Sequence, residues 1–112
     1  MTKYHEQNIE QIERAFYIID ANFSTLYLKS ENEASRRSLT AARDAARDTF
    51  WAAVAKELED NHDLVQQTRG ELTAASDQLE QMIEETESFA KTIDQIAQVV
   101  KLASSLATIA SI

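Results

Sequence analysis

The chain lacks cysteine and proline and has a single glycine, Gly70, among its 112 residues. The absence of cysteine excludes disulfides, thiolate metal sites and a cysteine nucleophile. Because glycine and proline dominate tight turns and long loops, their scarcity favours a few long helices over a sheet. A hydrophobic fraction of 44% is ordinary for one core-forming domain. We therefore expect an all-α fold in which residues 1–112 form a single helical domain.

Motifs that carry chemistry are also missing. The sequence contains no glycine-rich phosphate loop, and no serine, threonine or tyrosine has a base at the spacing of a nucleophilic site. Glu59 precedes His62 by three residues, as in di-iron helical bundles, but those sites need this pair twice and two further glutamates. His5 has Thr2 at the matching place and is expected to close one end of the core. We expect no enzyme activity, no metal and no cofactor.

The charge of the chain is acidic and unevenly distributed. The formal net charge is −8, and residues 61–112 hold eight acids against three bases. A nucleic-acid-binding face needs the opposite sign, so we expect no nucleic-acid partner. The basic cluster alternates with aspartates within side-chain reach on a helix, which indicates a solvated, self-neutralised face. This cluster comprises Arg36, Arg37, Arg43 and Arg47, together with Asp44 and Asp48.

The two ends of the chain bear on its location. The amino end, MTKYHEQNIEQIERAF, lacks the basic start and unbroken apolar run of a signal peptide, so we expect a cytoplasmic protein, with signal-independent secretion left open. The carboxyl end carries no charge after Lys101, but Asp94, Gln98 and Lys101 interrupt the apolar run that a membrane-spanning helix needs. In-plane membrane contact is a weaker alternative, because Lys101 alone supplies positive charge.

Apolar residues in the first half of the chain recur at spacings of three and four, which predicts helices with one apolar face. Ser30 stands three residues before Glu33, the spacing of a capping box, and predicts a helix start at Ser30. The resulting helices cover about 3–29 and 31–59. Their stripes are Ile9, Ile12, Phe16, Ile19, Phe23 and Leu26 in the first helix, and Leu39, Ala42, Ala46, Phe50, Val54 and Leu58 in the second.

The third segment carries the longest register. From Leu72 to Ala110, mostly apolar residues follow a strict seven-residue repeat. Asp60 or Asn61 would cap a new helix, which favours a break at 60–63; a break near Gly70 and one unbroken long helix are alternatives. We therefore predict a third helix over about 62–110. The predicted architecture is an up-and-down three-helix bundle, or antiparallel coiled coil, with a long third helix.

A third helix of that length has a consequence for partners. It would reach roughly 70 Å, against roughly 40 Å for the first helix. The apolar side chains beyond the end of the shorter helices would then need another protein surface to bury them. Self-association, most simply as a two-fold dimer, or a helical protein partner would supply that surface. The apolar side chains of the last segment also spread over about half of the helix circumference. The predicted partner-binding residues are Val99, Leu102, Leu106 and Ile109.

Three classes of function are compatible with these features. The first is a non-catalytic helical interaction module that binds itself or a partner helix through the apolar carboxyl end. The second is a membrane-active or secreted helical protein of the pore-forming or translocator type, suggested by the uncharged carboxyl end. The third is an acidic inhibitor or antitoxin-like regulatory protein, suggested by the acidic second half. The interaction module is the favoured hypothesis.

Overall fold

The computed structural model of the chain describes residues 3–54, 63–85 and 88–110. These residues form four helices, α1 (Lys3–Lys29), α2 (Glu33–Val54), α3 (Asp63–Glu84) and α4 (Phe89–Ile109), and the same ranges contain no strand. The all-α prediction is therefore confirmed for them. The bounds of α1 are those that its apolar stripe predicts.

The turn between α1 and α2 differs from the sequence-based prediction. The cap of α2 is Asn32, whose Oδ1 accepts a hydrogen bond from the Ser35 N–H at 2.9 Å. Ser30 instead completes the end of α1, since its hydroxyl donates to the Leu26 carbonyl at 3.4 Å and its N–H to the Tyr27 carbonyl at 3.2 Å. The predicted helix start at Ser30 is wrong, because an asparagine two residues later caps as well as a serine does.

The predicted long third helix is also wrong, because the chain forms two helices there. α4 begins after Ser88, whose extended backbone (φ −56°, ψ 145°) leaves the helix and whose hydroxyl accepts from the Lys91 N–H at 3.3 Å. α4 then packs against α3, and Gln95 Nε2 donates to the Ala75 carbonyl at 2.9 Å. Folding back buries the apolar stripes of both helices against each other, whereas a continuous helix would leave its far half in water.

The predicted end of the second helix at 59 and most of the favoured break at 60–63 fall on residues 55–62, which lie outside the described residues. α2 is described to Val54, and α3 begins at Asp63. The predicted caps, Asp60 and Asn61, lie outside the described residues. Gly70 lies inside α3 and is exposed, so it ends no helix.

Substitution of Gly70 by alanine is expected to stabilise the protein by about 0.5–1 kcal/mol, because glycine is a poor residue for a helix interior. A Cβ atom at this position would meet no atom within 4 Å, so no strain offsets the gain. Urea unfolding measures the change. The matched control is Ala74→Gly, at an exposed site one turn later, which should destabilise by a similar amount. A loss of stability in Gly70→Ala would contradict the placement of Gly70 inside a regular helix.

α1 and α2 form an antiparallel hairpin. The rings of Phe16 and Phe50 stack with centroids 6.0 Å apart. Near the connection, the Arg36 guanidinium lies 5.1 Å from the centroid of the Tyr27 ring. Later residues of α1 thus contact earlier residues of α2, as antiparallel helices require.

α3 lies beside α1 and runs parallel to it. Arg69 donates from Nη1 to Asn8 Oδ1 at 3.3 Å, and Arg14 donates from Nη2 to Glu80 Oε1 at 2.8 Å. Residue numbers therefore rise together along the two helices. Within the described ranges α2 and α3 do not touch, whereas α4 contacts all three other helices. The two hairpins pack side by side with α2 and α3 at opposite corners.

The core lies between the helices, and its longest dimension follows α1. The described residues extend over 43 × 24 × 18 Å, so they contain no 70 Å helix with an uncovered end. Ile9, Phe16 and Phe23 of the predicted α1 stripe are only partly buried at the edge of the core. The buried apolar residues include Ile12, Ile19, Leu26, Leu39, Ala46, Phe50, Val65, Leu72, Leu79, Ile96, Val99, Ala103 and Leu106.

Candidate protein-binding surface

The four predicted partner-binding residues all lie in α4, but two of them do not face the solvent. Val99 and Leu106 are both 0% exposed and belong to the core of their own chain. Leu102 and Ile109 are half-buried against the same core. The expectation of an exposed surface at Val99 and Leu106 is wrong, because α1, α2 and α3 together cover the wide apolar face of α4. A role of Leu102 and Ile109 in partner binding stays a prediction.

Large apolar side chains are exposed instead on the hairpin of α1 and α2. Trp51 is 60% exposed and Tyr17 is 53% exposed. The Trp51 ring packs on Phe50 with centroids 5.2 Å apart, and Phe50 lies 6.3 Å from Tyr17 and 6.0 Å from Phe16. We call Phe16, Tyr17, Phe50 and Trp51 the aromatic cluster. Val54, also exposed, continues this apolar surface by three residues along α2.

Arginine side chains extend the surface from the aromatic cluster toward the amino end of α2. The guanidinium carbon of Arg43 lies 3.9 Å from the centroid of the Phe23 ring, and that of Arg36 lies 5.1 Å from the Tyr27 ring. Guanidinium groups over ring faces are attracted by the ring quadrupole. These contacts fix the arginines along the seam between α1 and α2.

Aspartates on α2 balance this positive charge, as the alternating sequence predicts. Asp44 lies 3.5 Å from Arg43 and 3.6 Å from Arg47, and Asp48 lies 3.6 Å from Arg47. Exposed pairs of this kind contribute about 0–1 kcal/mol to stability. Their main effect is that the surface beside the aromatic cluster has little net charge.

The exposure of Trp51 is the feature that sequence reasoning missed. Phe50 lies on the apolar stripe of α2 and is buried, whereas the adjacent Trp51 lies off that stripe and is 60% exposed. Successive helical residues differ by about 100° in direction, so two adjacent aromatic residues cannot both face the centre of one core. That rule would have pointed to Trp51 as the exposed member of the pair.

The opposite corner of the molecule is acidic. Arg14 of α1 crosses to α3, where it donates hydrogen bonds to Asp77 and Glu80. Burial lowers the pKa of Arg14, but the hydrogen bonds to the two carboxylates outweigh burial, and the net pKa is raised above its ordinary value. The two carboxylates therefore stabilise the charged form of Arg14. Glu71 and Glu84 add further exposed negative charge on α3.

A cleft of about 520 Å³ lies where α2 and α4 begin side by side. The two helix amino ends would favour an anion there. However, Glu31 and Asp94 line the same cleft, and the cap side chains Asn32 and Ser88 already accept from backbone N–H groups. The cleft therefore offers no net attraction for an anion, and we assign it no chemical role.

The remaining sequence-based expectations concern metal ligands and a membrane-spanning segment. These residues contain no group of three His, Asp or Glu side chains that could hold a metal ion. Glu59, His62 and the side chain of His5 lie outside the described residues. Of the helices that the structure describes, none combines the length and the apolar character needed to cross a bilayer. Comparison of the chain with models of protein families, with curated proteins and with solved structures found no significant match.

Proposed function

We propose that this chain is a non-catalytic interaction module that binds a protein through the aromatic cluster of α1 and α2. The observation that carries the proposal is the 60% exposure of Trp51, a ring already packed on Phe50. Tryptophan, tyrosine and arginine are the residues most enriched among those that dominate binding energy at protein interfaces. All three residue types meet on this surface, with Arg47 beside Trp51.

The support beneath Trp51 suits a binding role. Phe50 is buried and Ala53 is 0% exposed, so the core holds α2 on both sides of Trp51. A side chain held on a fixed helix loses less conformational entropy on binding than one on a loop. Binding through Trp51 would therefore require little ordering of the backbone that carries it.

The charge balance of the surface also favours a protein partner over a nucleic acid or a free anion. Arg43 and Arg47 are close to Asp44 and Asp48, so their charges are largely balanced. A phosphate backbone would require uncompensated positive charge. A protein surface of mixed charge with an apolar centre is the complementary partner.

Photo-crosslinking tests this proposal. Benzoylphenylalanine in place of Trp51 is expected to give defined adducts in an extract of the source cells, because a binding partner would contact this position. The same amino acid in place of Leu64 is the matched control, since Leu64 is 53% exposed and lies on α3 at the opposite corner. Position 64 should give no such adducts.

Competition gives the deciding measurement. Excess unlabelled wild-type chain should abolish the adducts at position 51, and excess Trp51→Ala chain should not. Trp51→Ala is expected to remain folded, since an exposed substitution changes the free energy of unfolding by about 0.5–1 kcal/mol at most. Equal adducts at positions 51 and 64, or equal competition by both chains, would contradict the assignment of the surface.

A further inference from the structure

A line of solvent-facing side chains runs the length of α2 and ends at Trp51. Its members are spaced alternately by four and three residues, so they share one face of the helix. All of them are exposed or half-buried, and none belongs to the core. We call this set the outer line of α2; it consists of Glu33, Arg37, Thr40, Asp44, Arg47 and Trp51.

The outer line carries both a projection and a recess. Trp51 projects at its carboxyl end. Around Thr40 there is a depression of about 430 Å³, lined by Arg36, Arg37 and Asp44 of α2 and by Tyr27 of α1. Eleven residues separate Thr40 from Trp51, or about 16 Å along the helix axis. One helix face thus contains an exposed ring and, at a fixed distance from it, a shallow depression whose lining combines the Tyr27 ring with side chains of both charges, since Glu33 also lines it.

We propose that the partner of the aromatic cluster is a second copy of this chain, with the outer lines of two α2 helices packed antiparallel. The two-fold axis crosses near Ala45 and Ala46, so each Trp51 enters the depression at Thr40 of the other copy. The proposal rests on the proposed function, since it uses the same surface and names its partner.

Charges on the outer line fit the same register. When Trp51 lies opposite Thr40 of the second copy, Arg47 lies opposite Asp44 of the second copy. Arg47 and Asp44 are 3.6 Å apart within one chain, so both groups already lie close to the crossing point. The two-fold axis then creates two symmetrical pairs across the interface. Arg37 also lines the depression that the Trp51 ring would enter, where a guanidinium over the ring face would add to the attraction.

The charge balance of α2 favours a second copy over an unlike partner of one sign. The helix carries four arginines and three acidic residues. Two such helices in antiparallel register therefore attract through alternating charges, without net repulsion. A strongly acidic partner would instead meet three like charges beside four opposite ones, and a strongly basic partner would meet four like charges beside three opposite ones. The symmetry also places two copies of every favourable contact in one interface.

Sedimentation equilibrium of the full chain, combined with its fluorescence, tests the proposal. Trp51 is the only tryptophan in the chain, so its emission reports this site alone. Between micromolar and millimolar concentration the mass should rise from monomer to dimer. Over the same range the Trp51 emission should shift to shorter wavelength and become less accessible to acrylamide. A mass that stays monomeric throughout would overturn the proposal, and so would dimerisation with unchanged Trp51 emission.

Variants test the register. Trp51→Ala should weaken dimerisation by about 100-fold or more, because an aromatic anchor is removed from both symmetrical sites, whereas Leu64→Ala should leave it unchanged. Arg47→Asp alone should also weaken dimerisation, because it places an aspartate opposite Asp44 of the other copy at both symmetrical positions. Arg47→Asp combined with Asp44→Arg should restore it, since the exchanged charges meet again across the axis. Failure of this rescue would overturn the antiparallel register.

Circular dichroism of each variant checks that its helix content is retained, so that a loss of dimer is not a loss of fold. The failures of the two proposals are distinguishable. A monomeric chain whose position 51 still gives competed adducts with a different protein refutes the second copy and supports the interaction module. A chain with neither dimer nor adducts refutes both.

Discussion

Leu106→Glu is expected to unfold the protein, whereas Leu102→Glu should leave it folded. Leu106 is 0% exposed in the core, so the substitution removes apolar contacts and also buries a carboxylate without a partner. Together these effects should cost more than about 4 kcal/mol, a large part of the stability of a typical domain. Leu102 is only half-buried, so a glutamate there can turn its carboxylate to water at a cost of about 1–2 kcal/mol.

Circular dichroism and urea unfolding separate the two outcomes. The control is Ser104→Glu, at an exposed position of the same helix, which should change the free energy of unfolding by less than about 0.5 kcal/mol. Similar effects of Leu102→Glu and Leu106→Glu would mean that α4 is rotated relative to the packing described above. Retained helix in Leu106→Glu would mean that Leu106 lies at the surface, as the sequence alone suggested.

The wide apolar face of α4 shows why the exposure of Val99 and Leu106 was misjudged from the sequence. Hydrophobic side chains over half of a helix circumference require more than one neighbour, and that inference holds. The sequence does not say whether the neighbours belong to the same chain. Because α3 and α4 are two helices, the chain supplies three neighbours to α4 itself. The apolar residues Val99 and Leu106 therefore stabilise the fold, and they are unavailable to a partner.

The break between α3 and α4 was hidden by a continuous pattern. Met82, Phe89 and Ile93 keep the seven-residue repeat across it, and the intervening residues include neither glycine nor proline. The local signal is the serine at position 88, whose capping bond supplies only about 1 kcal/mol. Burial of two apolar helices against each other supplies much more, and it decides between one helix and two. The periodicity of the sequence cannot reveal this free energy of packing between helices.

Other features were predictable to different degrees. The α1 stripe predicts its helix well, because six large apolar residues recur without interruption. The start of α2 was misplaced by two residues, since Ser30 and Asn32 are both good caps and only one can be used. The proposed binding surface could not be read from hydrophobicity, because Trp51 is exposed while the neighbouring Phe50 is buried. The two rings differ in exposure because they point in different directions around the helix, although both are large and aromatic.

The same distinction within α1 leads to the last prediction. Ile19→Ala is expected to destabilise the protein by about 3–5 kcal/mol, and Phe16→Ala by only about 2 kcal/mol, although phenylalanine is the larger residue. Ile19 is 0% exposed in the core, so its removal leaves a cavity that the surrounding helices cannot fill. Phe16 is partly exposed beside Tyr17 and stacks on Phe50, so water already reaches one side of its ring.

Urea unfolding of the two variants measures the difference. Tyr17→Ala is the control for the loss of an exposed ring from the aromatic cluster. Its expected change in the free energy of unfolding is about 1 kcal/mol or less. A larger cost for Phe16→Ala than for Ile19→Ala would place the centre of the core at the seam between α1 and α2. The aromatic cluster would then contribute chiefly to folding, and its assignment as a binding surface would lose its physical basis. The predicted order instead leaves Phe16 and Tyr17 as partly exposed rings beside Phe50, the ring on which Trp51 packs. A side chain that stabilises the fold only weakly is free to contribute to binding.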